Sequence, residues 1–463
     1  MKNINFVRVF GFLLIFAMAS SFAAPALAQS KKDRDRAKKV AKQGDDLFNK
    51  KDYRGAIEKY AQAIVYVPGF AAAHYWKAVA HYYLKENDQA LVDFDAALAS
   101  GYDKPAEIYR IRWLIYYQKG DLDGALRDAS EVARIEPKNA NIQFALGGIY
   151  RDRKQYEDAL AAYKRSVQID PNQGDIHFFI ADCYFNLGDY LNQGFAALDA
   201  LKYKTKYVGE SSYYVADALY RAKKFDEAIP YYETAISVKP DLYGGYGPLA
   251  DIYRNKSRFS DAIATAKKGL AVYPKDANLY VSLSWFYSMA DMPMEASIAA
   301  QSAINLDPKI AMGYTNLCRA QNDLKLYSQA LQSCNSALRL NPGDGESYLY
   351  MGRAYEFLNQ PERAADSYNK AIPGLLKFTQ DNPDYSDGFY LLGNAYFALQ
   401  KDQQAIAAYQ ECLRLSPNFA RARYTLGYSY NALGNKAAAR EQYNILRDLD
   451  ADLAARLLAL IEK

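Results

Sequence analysis

The apolar positions of this chain recur with two periods at once. Within short blocks they fall on one helical face, and the blocks themselves repeat. In residues 386–417, Leu392, Gly393 and Tyr396 lie at i, i+1 and i+4 of a first helix. The polar break Gln400-Lys401-Asp402 follows, then Ala405, Tyr409 and Cys412 mark the inner stripe of a second helix that Pro417 ends. Two short amphipathic helices make a hairpin with too little core to fold alone, so neighbouring hairpins must supply the missing burial. The frame recurs: Pro240, Pro274, Pro308 and Pro342 stand 34 residues apart, as do Pro137 and Pro171, and Pro383 and Pro417. Twenty-four residues before seven of these prolines stand Trp113, Gly147, Ala216, Ala250, Ser284, Cys318 and Gly393. Twelve residues before them stand Ala125, Ala159, Ala228, Ala262, Ala296, Ala330 and Ala405. Small side chains there predict close approach of the paired helices. No strand is expected anywhere.

This pattern resembles the tetratricopeptide repeat, a 34-residue helix–turn–helix unit with aromatic, Leu-Gly, Tyr, Ala and Pro positions in this order. The resemblance covers roughly residues 37 to 450. It implies an all-α, right-handed superhelical solenoid of about twelve repeats: repeats one to five over 37–208 and six to twelve over 209–450. Residues 451–463 then read as a capping helix with Leu453, Leu457, Leu460 and Ile461 on one side. Three repeats depart from the frame. Repeat five has Phe195-Ala196-Ala197-Leu198 in place of the usual alanine and no closing proline. Repeat seven opens on Tyr243-Gly244-Gly245-Tyr246-Gly247-Pro248, which predicts a shortened helix beginning near Pro248; a hinge or an opened pocket is the alternative. Repeat ten carries an insertion near 372–385 containing Pro373-Gly374, expected to lengthen a loop or kink the second helix.

Ahead of the repeats, Lys2 and Arg8 precede an apolar run at 9–19, and Ala26-Leu27-Ala28 is a small-x-small cleavage site. Residues 1–28 therefore read as a signal peptide, with a mature start at Gln29 and a periplasmic or secreted destination in a bacterial cell envelope. Residues 29–36 read as a charged lead-in whose aspartates interrupt the basic run, so a solvated segment is expected. The formal charge is +4, and removing Lys2 and Arg8 leaves +2, too little to imply a nucleic-acid partner. No later stretch is long and apolar enough to span a membrane.

Catalytic chemistry has little to work with. Of the three histidines, His74 and His177 take the fourth repeat position and His81 the eleventh, where other repeats carry Tyr or Phe. Packing replacement explains them better than catalysis or metal binding. No phosphate loop, nucleophile elbow or zinc motif is present, and the repeats leave no room for a catalytic domain. A non-enzymatic protein with no cofactor and no metal is expected. Cys318 and Cys334 occupy the eighth and twenty-fourth positions of one repeat, on facing sides of its helices. A disulfide is possible there, although buried free thiols are the favoured expectation. Cys183 and Cys412 are too far apart in the array to pair.

The other face of each first helix carries the binding hypothesis. Positions two, five, nine and twelve form one stripe, which the family resemblance places along a concave, peptide-binding groove. Across the repeats it reads Tyr75, Tyr82, Tyr117, Phe144, Phe178, Phe185, Tyr213, Tyr220, Trp285, Tyr390, Phe397, Tyr424 and Tyr428. Some of the 42 tyrosines are expected to be buried between neighbouring first helices, but as a set they suit a binding surface, giving large contact area at low entropy cost. The ninth position adds Asp182, Asp217 and Asp251, then Arg319 and Arg353. Arg110 and Lys42 stand isolated and do not complete the carboxylate clamp of one lineage of the family. The reading is an envelope scaffold binding polypeptide segments, basic near the aspartates and acidic near the arginines. A glycan-binding or peptidoglycan-binding envelope protein is the alternative.

Overall fold

The computed structural model describes residues 30–463, so the expected leader and its cleavage site lie outside the described residues. The described residues form 25 α-helices and one 3-10 turn, with no strand among them. They fall into two compact units, one up to Gln155 and one from Tyr156 to Lys463. Each is a run of antiparallel helical hairpins.

Each hairpin turns on a single residue. The fifteenth residue of every repeat has left-handed backbone: Gly120, Gly188 and Gly434 in three, and in the rest Lys51, Lys85, Lys154, Lys223, Ser257, Asp291, Lys325, Asn359 and Gln400 with φ between 58° and 63°. Left-handed backbone costs an L-residue about 1–2 kcal/mol, so packing of the two helices must impose the turn. Repeats two and five, which lack the closing proline in frame, end on a second left-handed residue, Gly101 and Lys204.

Packing inside a hairpin follows a large-against-small rule. A Cβ on Gly44 would come within 2.7 Å of the Tyr60 ring, and one on Gly393 within 2.4 Å of the Tyr409 ring. Both tyrosines are buried, and their hydroxyls donate outward to Asp45 and Asn394 at 2.8 Å. The alanine series Ala125, Ala159, Ala228, Ala262, Ala296, Ala330 and Ala405 is fully buried, as close helix approach requires. In repeat five the equivalent residue is Gln193, also fully buried, whose amide donates to the Tyr214 carbonyl of the next repeat at 3.2 Å. The polar side chain is tolerated because its N–H finds a backbone acceptor.

The irregular repeats resolve locally. In repeat seven a 3-10 turn, Tyr243–Gly245, leads into a ten-residue helix, Tyr246–Asn255, which starts two residues before Pro248. A Cβ on Gly244 would lie 2.8 Å from the Tyr213 hydroxyl, so glycine is needed for that contact. In repeat ten the insertion extends the second helix: Pro361–Asp381 runs 21 residues, through Pro373, against 14 for Asp402–Leu415. Gly374 fits this helix against the preceding loop, where a Cβ would meet the Gly343 carbonyl at 2.5 Å. Lys31–Asn49 begins earlier than the repeat frame, because Ser30 caps it by accepting from the Asp33 N–H, so the charged segment forms its first turns. At the other end Ala451–Ile461 buries Ala454, Leu457 and Ile461 against Ala439 and Leu446. Among the described residues no helix is long and apolar enough to cross a membrane.

Candidate functional site

The predicted aromatic stripe divides by burial. In the first unit Tyr75 is buried, stacked on Tyr102 with ring centres 4.4 Å apart, and burial with nearby Glu107 pushes its hydroxyl up to about 12. Tyr82 and Phe144 are half-buried, while Tyr117 is exposed and donates to Asp152. The histidines of repeat two do more than fill aromatic positions. His81 Nδ1 lies 2.7 Å from Glu86, His74 Nε2 lies 2.9 Å from the Pro68 carbonyl, and both rings flank the buried Asp93, which Lys77 bridges at 3.0 Å.

In the second unit Phe178 is buried, stacked on Tyr207 at 4.3 Å and facing Tyr214 at 6.0 Å. Phe185 remains exposed against the Tyr214 ring. Tyr390 is half-buried beside Phe419, 5.0 Å between ring centres. Tyr220 is half-buried, and burial beside Asp251 pushes its hydroxyl up to about 12.

The five charged rungs are all partnered within the chain, which corrects the picture of free charges awaiting a ligand. Asp182 accepts from the Tyr214 hydroxyl at 2.8 Å, and Asp217 pairs with Arg221 at 2.9 Å. Arg319 pairs with Glu346 while its guanidinium stacks over the Trp285 ring at 4.1 Å. Arg353 bonds to Asp323 at 2.8 Å; burial works against its charge, but that carboxylate outweighs it and raises the guanidinium. Asp251 lies 3.4 Å from Arg254 and 3.5 Å from the Tyr385 hydroxyl. Its side chain keeps 32% exposure, yet it sits among packed helices, so burial raises its carboxyl against the opposing pull of Arg254.

Asp251 belongs to a junction that the repeat pattern does not announce. Repeats seven and eight touch repeats eleven and twelve directly. Buried Arg254 bonds to buried Asp387 and lies over the Tyr385 ring at 4.4 Å. The Ser416 hydroxyl donates to the Asn255 carbonyl at 2.8 Å, and Arg421 bridges to Asp291 at 2.9 Å. Just outside this seam, in repeat six, Lys223 reaches Asp384 at 2.7 Å. The groove of this unit is thereby closed over by its own later repeats.

Beside the junction lies a cavity of about 460 Å³. Its apolar wall comes from Val281, Trp285, Phe286, Met312, Leu375, Phe378, Tyr385 and Leu391, and its charged groups are Asp251, Arg254, Asp344, Glu346, Lys377 and Asp381. Leu375, Phe378 and Asp381 reach it only because the insertion prolongs the Pro361–Asp381 helix. Of the predicted site residues the cavity gathers Asp251 and Trp285, with Arg319 behind them. It also uses Arg254 and Glu346, which sequence reading passed over together with Asp387, the partner of Arg254 outside the cavity wall. Arg254 holds position twelve of its repeat and the two acids hold position two, so the stripe contained them. Scanning that stripe for aromatics and for ninth-position charges missed their pairing. Among the described residues no group of three or more His, Cys, Asp or Glu side chains is placed to hold a metal.

Cys318 and Cys334 form a disulfide with Cα atoms 5.3 Å apart, so the favoured expectation of free thiols does not hold. The bond replaces the large-against-small contact at these positions. Cys183 and Cys412 are free and buried, and burial drives the Cys412 thiol well above its ordinary value.

Family models for the tetratricopeptide repeat match residues 41–105, 211–242, 346–372 and 421–452, and a TPR repeat model matches 147–188 and 393–434. The small glutamine-rich tetratricopeptide repeat-containing protein 2 of Saccharomyces cerevisiae is 31% identical over 135 residues, covering 29% of this chain and 36% of that protein. Protein PHOX3 of Arabidopsis thaliana is 33% identical over 106 residues, covering 22% of this chain and 13% of that protein. The chain thus spans 36% of the length of the first of these curated relatives and 13% of the second. Among solved structures, yeast Tom70 aligns over 92% of this chain and 95% of its own, at 15% identity and a TM-score of 0.39. With the repeat models spread from residue 41 to 452 over hairpins of one construction, the chain belongs to the tetratricopeptide repeat proteins, which serve as protein-interaction scaffolds.

Proposed function

We propose that this protein is an exported scaffold of a bacterial cell envelope that holds polypeptide segments along the aromatic stripe of its first helices, without catalysis of its own. The observation that carries the reading is what remains of that stripe after internal pairing. Tyr117, Phe185 and Tyr428 keep 38% of their surface each, while the charged rungs are taken up within the chain. Exposed rings on rigid helices offer contact area at little entropy cost, so affinity is assigned to the aromatics and only registration to residual charge. Export is supported by the Lys2, Arg8 and Ala26-Leu27-Ala28 leader pattern and by the Cys318–Cys334 bond, since stable disulfides accumulate in oxidising compartments.

The test is a pull-down from envelope extract with wild-type protein and with a Tyr117→Ala/Phe185→Ala variant, with and without glycan hydrolase. A retained polypeptide that dissociates faster from the variant and ignores the hydrolase supports the reading. Capture abolished by the hydrolase favours envelope glycan as the ligand. Wild-type kinetics in the variant would move the binding face elsewhere. N-terminal sequencing of the native protein should begin at Gln29; an intact Met1 on cytoplasmic material overturns the export.

A further inference from the structure

We infer that the Lys31–Asn49 helix, with the end of the Tyr53–Tyr66 helix beside it, docks this protein on the surface of an anionic phospholipid bilayer. The inference goes beyond the groove and involves none of its residues. Residues 31–42 hold seven Lys and Arg against two aspartates, a local charge of +5. Without Lys2 and Arg8 the formal charge of the chain is +2, so everything after residue 42 carries −3. The positive charge is gathered at the start of an otherwise slightly acidic chain.

The fold holds these cations out and uses almost none of them. The first buried residue of the helix is Ala37, and Ala37 and Ala41 join the buried cluster of Ala56, Tyr60 and Ala63. Residues 31–36 overhang that contact by about 9 Å, at 1.5 Å of rise per residue. The Ser30 cap keeps the overhang helical, so its charges sit on a rod rather than a loose tail. All seven cations are exposed, and apart from Arg36, 4.0 Å from Asp33, none forms an ion pair among the described residues. Exposed cations elsewhere in this unit bridge to neighbouring repeats, as Arg54 does to Glu86 and Arg110 to Glu136. Lys31, Lys32 and Arg34 also oppose the helix dipole, so stability gives no reason to place them there. Solvation of a terminal helix does not require one sign either. The Ala451–Ile461 helix and its flanks mix Asp450, Asp452 and Glu462 with Arg456 and Lys463.

Apolar groups beside the cations choose between anionic partners. The Tyr53–Tyr66 helix runs antiparallel, so its last residues, Val65 and Tyr66, stand at the base of the overhang, 79% and 39% exposed. Cations next to an exposed aliphatic and a tyrosine match lipid phosphates and the interface beneath them. Tracks for single-stranded nucleic acid interleave stacking rings with their cations, and residues 31–42 contain no aromatic. No helix among the described residues is long and apolar enough to cross a bilayer, so the contact lies on the surface and is held mostly by charge.

The experiment uses the chain from Gln29, which contains every described helix and leaves out the apolar run at 9–19. Co-sedimentation compares vesicles of phosphatidylcholine with vesicles of equal phosphatidylcholine and phosphatidylglycerol. The anionic vesicles should bind at least about tenfold tighter, with the difference lost in high salt. A cation at an anionic surface contributes about fivefold, so Lys32→Gln/Lys38→Gln/Lys39→Gln should weaken binding about a hundredfold with the melting temperature retained. Lys275→Gln/Lys309→Gln/Lys436→Gln, which removes three exposed lysines of the later unit, should weaken it less than about threefold. Tyr66→Ser should cost about fivefold. Equal binding to both kinds of vesicle, or equal loss in the two triple variants, overturns the inference. A short DNA duplex bound as tightly as the anionic vesicles makes the overhang a general polyanion site and overturns the bilayer assignment. The first triple variant should still capture envelope polypeptide, so failure of vesicle binding leaves the scaffold reading standing, and failure of capture leaves this one.

Discussion

Both units bury an arginine, and they do it at opposite ranges. In the first, Arg112 pairs with Asp128 in its own hairpin at 2.8 Å and with Asp95 of the preceding repeat at 2.6 Å. In the second, Arg254 pairs with Asp387, 133 residues further along. The first pairing knits neighbouring repeats and would form in any stack of these hairpins. The second joins repeats seven and eleven, closes the groove and borders a cavity. Two buried charges with similar partners therefore do different jobs: one holds the stack together locally, the other fixes how it curves. The two units should also differ in cooperativity, since stability in a repeat stack is a sum of neighbour terms unless a distant contact ties it.

The sharpest break in this comparison is Asp387→Ala. It leaves the buried Arg254 guanidinium with only Asp251, at 3.4 Å, to offset its charge and should cost about 3 kcal/mol in urea unfolding. In the first unit Arg110→Ala, which removes the largely exposed pair with Glu136, should cost about 0–1 kcal/mol. Equal losses would erase the distinction between closing and surface pairs. Close to it in size is the disulfide, present only in the later unit. Its cysteines stand 16 residues apart, and Cys334→Ser should cost about 3 kcal/mol by releasing that loop in the unfolded chain. Hydrogen exchange should show the loss concentrated in Ala311–Asp323 and Tyr327–Leu340.

Overpacking comes next. Ala125 in the first unit and Ala296 in the second are both fully buried, and replacing either by Trp should cost about 1–3 kcal/mol or more. The Ala125 variant should loosen only its neighbours in hydrogen exchange, while the Ala296 variant should also expose helices beyond the closing junction. A smaller effect is electrostatic. Asp251 has a carboxyl raised by burial, so the folded state holds that proton more tightly than the unfolded chain does. The stability it contributes is complete below the ordinary aspartate value and is lost as pH rises through the raised one. Asp251→Asn should therefore flatten the decline in melting temperature over that window, and an unchanged slope would place the carboxyl in a wetter setting. Smallest is the turn: Lys325→Gly removes a left-handed penalty at φ 63° but adds unfolded-chain entropy, for a net change within about 1 kcal/mol.

Much of the architecture was legible because each repeat states the same packing problem. The buried alanines, the proline stops and the first-helix positions follow from what a hairpin needs from its neighbours, and those needs lie within a few tens of residues. The left-handed turn was less visible, since Lys51, Lys85 and Lys325 hold a conformation that glycine usually marks. At the candidate site the stripe was legible as one face of each first helix, but the fate of its members was not. Tyr75 and Phe178 look like Tyr117 and Phe185 in the pattern, yet the first two are stacked beneath neighbouring rings and the second two reach the surface.

What the sequence determined by itself is the hairpin: its period, its small-against-large contacts at Gly44 with Tyr60 and Gly393 with Tyr409, and the tetratricopeptide identity that follows. These are interactions between residues a fixed short distance apart, so a periodic pattern carries them. Only the tertiary structure decided that Cys318 and Cys334 are bonded, that Glu346 neutralises Arg319, and that Asp387 meets Arg254. Those depend on how small rotations between repeats accumulate along the stack, and on an inserted stretch that prolongs one helix. No local pattern encodes that sum, because it is set by the packing of every hairpin in between.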